Sequence, residues 1–195
     1  MTKTKNSKAI VFRNRLMLAH LALAKDKVFQ KLPEVEKNEV IKKVITIGDE
    51  TAQWVAGEYG TSDPRKIAAK MGLKIFGEER KNIKASEYRR KEREIIISRK
   101  FHEKLLREIE SRELSERLLK IVVAQKLFLH LEHERLGEVY KRYKFVVWKV
   151  GPFVREKMVK ALSEVAASAF TQTLLKFEVT PQVFDYLLMT SFNAS

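Results

Sequence analysis

Hydrophobic and polar positions along the chain follow a helical period over most of its length. In residues 9–31, Leu16, Ala19, Leu23 and Val28 recur near that period, predicting an amphipathic helix that the Leu32-Pro33 pair ends. Residues 34–47 and 49–59 continue the pattern, as one helix or as two hinged at Gly48. Gly60 then reads as a stop, Ser62 or Asp63 as a cap, and Pro64 as the first residue of a short helix closing at Gly72.

Beyond Gly72 the period shortens. The segments "LKIFGEE" (73–79), "ASEYRRKE" (85–92) and "REIIIS" (93–98) carry β-branched and aromatic residues between polar breaks and read as strands. The last is apolar at three consecutive positions, Ile95 to Ile97, and is expected to be the most buried. Helical spacing returns at 101–110, 114–135, 152–176 and 181–190, with Ser115 as the expected start of the long second helix. "YKRYKFVVWKVG" (140–151) fits helix, strand or extended loop. The class is α+β and mostly helical, with a small three-stranded sheet. A basic N-terminal helical extension, 1–45, precedes a domain over 46–195. Trp54, Trp148 and most phenylalanines are expected in the core.

Composition sharpens this picture. The 195 residues are 45% hydrophobic, enough for a substantial core, and 33% charged, above the roughly 25% of an ordinary globular chain. Having no cysteine excludes a disulfide framework, a thiolate metal site and a cysteine nucleophile. A net charge of +14 favours nucleic acid, an anionic membrane or an acidic protein as partner, and says nothing of fold. The basic start "MTKTKNSK" followed by "LMLAHLALA" has the outline of a secretion signal. His20 interrupts that apolar stretch, however, and the helical stripe runs past Ala22-Leu23-Ala24. No stretch approaches the ~20 apolar residues of a membrane span, and a cytoplasmic location is the expectation.

The chemistry-bearing stretch is "IVVAQKLFLHLEHER", 121–135, followed downstream by "SEVAASAFTQTLLKF", 163–177. A short helix, three strands, a helix, a long helix with an A-x-x-L-F-x-H core and this later helix resemble, over about residues 46–178, the ImmA/IrrE-type minimal zincins. In that family of cytoplasmic metallopeptidases the long helix carries A-H-E-L-x-H. Two histidines one turn apart share a helix face and hold zinc, and the Glu beside the first acts as base on the metal-bound water. A Glu on the later helix completes the ligands. The resemblance places the first histidine on Gln125, the base on Lys126, the second histidine on Leu129 and the later ligand on Glu164. Leu129 has no donor, Gln125 is a poor ligand, and Lys126 puts a cation where the base should stand. The resemblance therefore implies a scaffold of the family with a vestigial metal site: no bound metal, no cofactor and no catalytic residue. It further implies a protein partner, in this family often a transcription regulator. On this register Leu129 is expected in an apolar plug, and Glu164 within hydrogen-bond reach of Lys126 or Gln125, or else paired with Lys160.

Other readings compete. An active metallopeptidase with altered ligands would draw on His130 and His133, but His130 stands one position past the family ligand, about 100° around the helix. It is expected on a partly exposed, charged helix end. A basic nucleic-acid-binding module would use the N-terminal helix, together with Arg89, Arg90, Lys91 and Arg93 of "YRRKER" as phosphate contacts and Tyr88 for stacking.

Overall fold

The computed structural model describes residues 2–79, 86–108 and 111–177, with the backbone alone at 2–10, 104–105 and 108. Among these residues it contains seven α-helices, a three-stranded sheet and a two-stranded one, a mostly helical α+β chain. The helix expected at 181–190 lies outside the described residues.

Helix α1 (Thr2–Leu23) and the single turn α2 (Lys27–Gln30) divide the predicted first helix, because Asp26 caps α2 with its side chain. Helix α3 (Glu34–Tyr59) is continuous through Gly48. Acidic Glu34 and Glu36 occupy its positive end, and Gly60, at φ 62°, closes it in the left-handed conformation that glycine adopts without strain. Asp63 caps α4 (Pro64–Lys70), with Pro64 at its first position as the sequence indicates.

The sheet is mixed. Strand β3 (Glu94–Ser98) is central, parallel to β1 (Lys74–Glu78) and antiparallel to β2 (Ser86–Arg89). As its apolar run predicts, β3 contributes the buried Ile95 and Ile96. Helix α5 (Arg99–Glu108) follows it directly. Helix α6 (Arg112–Leu131) is capped by Ser111 rather than Ser115, which is buried one turn inside.

The expected helix over 152–176 begins later. Residues 145–157 form a hairpin of β4 (Phe145–Val150) and β5 (Phe153–Lys157), and only then does α7 (Ala161–Leu175) start. The β-branched and aromatic run "FVVW", with Gly151-Pro152 as its turn, settles the ambiguity of 140–151 toward strand.

Helix α7 is the central element. It is buried nearly all round, polar Ser163, Ser168, Thr171 and Gln172 included, and Leu162, Val165, Ala166, Ala169, Phe170 and Leu174 supply its apolar contacts. Helices α3 and α6 flank it, and Phe128 of α6 meets Phe170 with ring centroids 5.4 Å apart. The expected division at residue 45 falls inside α3. Ala19, Leu23, Phe29 and Leu32 join the same core as α6 and α7, so the N-terminal helices are part of one packed unit. Arg15 locks α1 down with a two-pronged bond to Asp49 at 2.7 and 3.0 Å, and Thr173 of α7 donates to the same carboxylate. Removing residues 1–31 would therefore open the core as well as strip charge.

The approach of α3 to α7 depends on Gly48. A Cβ there would sit 2.4 Å from the Ala166 carbonyl oxygen and 2.7 Å from the Ala169 Cβ, well inside contact distance. Gly48→Ala should thus destabilise the protein by about 1–3 kcal/mol, the usual cost of overpacking, although alanine is the better helix former. Gly57 lies on the same helix with nothing within 4 Å of its would-be Cβ, so Gly57→Ala should stabilise by up to about 1 kcal/mol. Urea denaturation of the two variants should give shifts of opposite sign.

Candidate functional site

Edge strand β2 lies against α6, and the contact brings one cluster together. The Tyr88 hydroxyl is 2.8 Å from Nδ1 of His130, which is 1% exposed. The two rings meet edge to face, and the His133 ring stacks on Tyr88 at 6.2 Å with planes 21° apart. Burial holds the His130 imidazole below its ordinary pKa, assisted by the cation of Arg93 and opposed by Glu134. The Tyr88 phenol is pushed up by burial first and by Glu134 second. Both groups are neutral at physiological pH. The phenol O–H donates to Nδ1 when the ring proton sits on Nε2.

His130 is thus a buried packing and hydrogen-bonding residue, against the expectation of an exposed helix end. The spacing contains the clue: Val123, Leu127 and His130 fall at i, i+4 and i+7 of the buried stripe. Past His130 the helix widens into a π-helical turn (Glu132–Leu136) that ends at Gly137, φ 72°. Glu132 is 3% exposed and tied internally. Its carboxylate accepts from the Val139 N–H at 2.6 Å and from the Ser163 hydroxyl, joining α6 to the turn Val139–Arg142 and to α7. This buried acid closes the backbone, and its contacts are all within the protein.

The positions matched to the zinc motif occupy a different face. Gln125, Lys126 and Leu129 are half-buried, while their neighbours Ala124, Leu127, Phe128 and Leu131 fill the core. The plug expected at Leu129 is therefore built by those neighbours, and Leu129 belongs to neither buried hydrophobic cluster. Glu164 is exposed at the start of α7, and among the described residues its side chain takes part in no hydrogen bond or ion pair. Exposure leaves its charge solvated by water, so burial does not demand a partner for it. These four residues do not fit a zinc ion: one lacks a donor, one is a cation, and the one carboxylate faces water. Among the described residues no three His, Asp or Glu side chains converge as a metal site.

The basic segment of β2 and its turn is largely occupied. Arg89 reaches three carboxylates, Glu78 at 3.2 Å, Glu87 at 3.6 Å and Glu94 at 3.9 Å. Arg93, at φ 56° in the turn, donates to the Met71 carbonyl at 2.9 Å. Arg90 and Lys91 are exposed cations, so two of the four candidates are engaged within the sheet and its turn and two face solvent.

The aromatic residues give the largest departure from expectation. Trp54 is 40% exposed, its ring under the Arg135 guanidinium at 5.8 Å, while Trp148 is 52% and Phe153 70% exposed on the hairpin. A tryptophan in an apolar run reads as core, and only the protrusion of the hairpin decides otherwise.

Protonation of His130 should be felt as stability. Its folded-state pKa is lowered, so below the ordinary value of about 6.5 the unfolded chain binds the proton first. Stability present above that pH is then lost as pH falls toward the lowered value. Urea midpoints at about pH 7.5 and about pH 5.5 should differ in the wild type and differ less in His130→Gln. Tyr88→Phe should cost about 1–3 kcal/mol at the higher pH by leaving Nδ1 unpaired.

No family model, curated protein or solved structure matches the chain.

Proposed function

We propose that this chain is a non-catalytic binding or regulatory protein on a zincin-like scaffold, working through a protein partner of the transcription-regulator kind. The observation that carries the reading is the face formed by Gln125, Lys126 and Leu129. Positions 125 and 129 stand one turn apart on a half-buried face of α6, where the resembled family keeps its two histidines, and neither is a histidine here. Lys126 replaces the base with a charge that repels a divalent cation. The antiparallel edge strand β2 beside α6, and α7 packed behind it, support the same scaffold. The buried His130 is committed through Nδ1 to Tyr88.

Protein purified without chelator and without added zinc should carry only trace zinc by elemental analysis, and should leave unfolded or peptide substrates uncut. Stoichiometric zinc that is lost in Glu164→Ala, with a chelator-sensitive peptidase activity, would overturn the reading. The kinship of the scaffold has its own test in the triple variant Gln125→His, Lys126→Glu and Leu129→His. It should acquire a zinc site that depends on Glu164; failure of the folded triple variant to bind zinc would remove the resemblance.

A further inference from the structure

The β4–β5 hairpin stands out from the core as a two-stranded ribbon whose second strand is exposed at every residue. Cross-strand pairing sorts its side chains onto two faces. Phe145 opposes Lys157, Trp148 opposes Arg155 and Val150 opposes Phe153 on one face, while Val146 and Glu156, and Lys149 and Val154, share the other. The shift of register between Val146 and Trp148 is what brings Trp148 onto the face of Arg155. The ribbon's one acid, Glu156, is thereby turned away and lies 3.5 Å from Lys144.

The first face looks onto α2. Between them runs a groove of about 470 Å³ walled by Lys27 and Lys31 on one side and by Arg155 and Lys157 on the other. Trp148 lies along it, with two valines as the remaining lining. The groove has four cations and no carboxylate, and none of the four makes an ion pair or side-chain hydrogen bond among the described residues. Further out on the same face is Phe153, two residues along from Arg155, which places the two aromatic side chains one pleat repeat, about 7 Å, apart along the ribbon.

We propose that this groove binds single-stranded nucleic acid, its four cations on the phosphates and Trp148 and Phe153 beneath successive bases. Unpaired cations beside an exposed tryptophan are the two parts of a single-strand site, an electrostatic track and a stacking platform. A duplex hides its base faces and offers only phosphates to the same surface. The concave form, with charge on both walls, suits a linear polyanion better than the flat headgroup layer of a bilayer. The assignment goes beyond the non-catalytic reading above and holds whether or not the scaffold binds zinc.

The test uses the full chain with fluorescein-labelled oligothymidylate, oligouridylate and a mixed-sequence duplex of equal length, followed by anisotropy over a salt series. The wild type should bind the single strands more tightly than the duplex, with log K falling against log salt at a slope of about −3, roughly 0.7 per neutralised phosphate. Trp148→Ala should weaken single-strand binding about ten-fold and remove most of the quenching of tryptophan fluorescence. Lys31→Glu with Arg155→Glu should weaken it further and flatten the slope, while Lys42→Glu with Lys43→Glu, an equal charge change on an exposed part of α3, should retain most of the affinity. Equal losses in the two double variants would mean attraction by net charge alone and would overturn the proposal. So would full affinity in Trp148→Ala, equal binding of duplex, or binding of vesicles containing phosphatidylserine with none of oligonucleotides.

Discussion

The close crossing of α3 and α7 at Gly48 is the contact on which the rest of the structure depends. Without a side chain at that position, α7 can bring Ala166 and Ala169 against the α3 backbone. The small residues of "AASAF" complete the fit from the other side. Once α7 is buried there, Phe170 takes α6, and Thr173 shares the Asp49 carboxylate with Arg15 of α1. Dispersion falls steeply with separation, so a small widening at Gly48 would loosen each of these contacts together.

Polar groups inside this unit work mainly as fasteners. Asp49 gathers Arg15 and Thr173 from two different helices, and Glu132 gathers a backbone N–H and a hydroxyl at the far end of α6. His130 and Tyr88 tie the sheet edge to the same helix. A carboxylate or imidazole so engaged offsets the cost of its burial with hydrogen bonds inside the fold. That is why "HLEHER", which looks rich in catalytic residue types, resolves into side chains holding α6, the π-helical turn and β2 in place.

The charged surface divides along the same line. Arg89 is surrounded by acids of its own sheet and Arg15 is bound to Asp49, so these two cations are already compensated. The uncompensated cations that share a concavity come from segments more than a hundred residues apart, Lys27 and Lys31 from the α2 turn and Arg155 and Lys157 from the ribbon. Alternation along β5 puts its arginine and lysine on one side and its glutamate on the other.

Local chemistry was legible in the sequence wherever a short-range rule applied. Gly60, Asp63 and Pro64 marked the junction of α3 and α4, the run Ile95 to Ile97 marked the buried strand, and the apolar stripes marked α6 and most of α7, because caps, turns and periodicity act over a few residues. The fold class followed from their order. Packing decided the remainder. Gly48 reads as a hinge or as part of one continuous helix, and only the presence of α7 shows it to be a close contact. His130 reads as surface until β2 covers it, Glu164 as a liganding acid until it is found in water, and Trp148 as core until β4 and β5 leave the body of the protein. Each depends on which distant segment lies opposite, and burial, hydrogen-bond partners and local charge are set by that neighbour and not by the residue's own spacing in the chain.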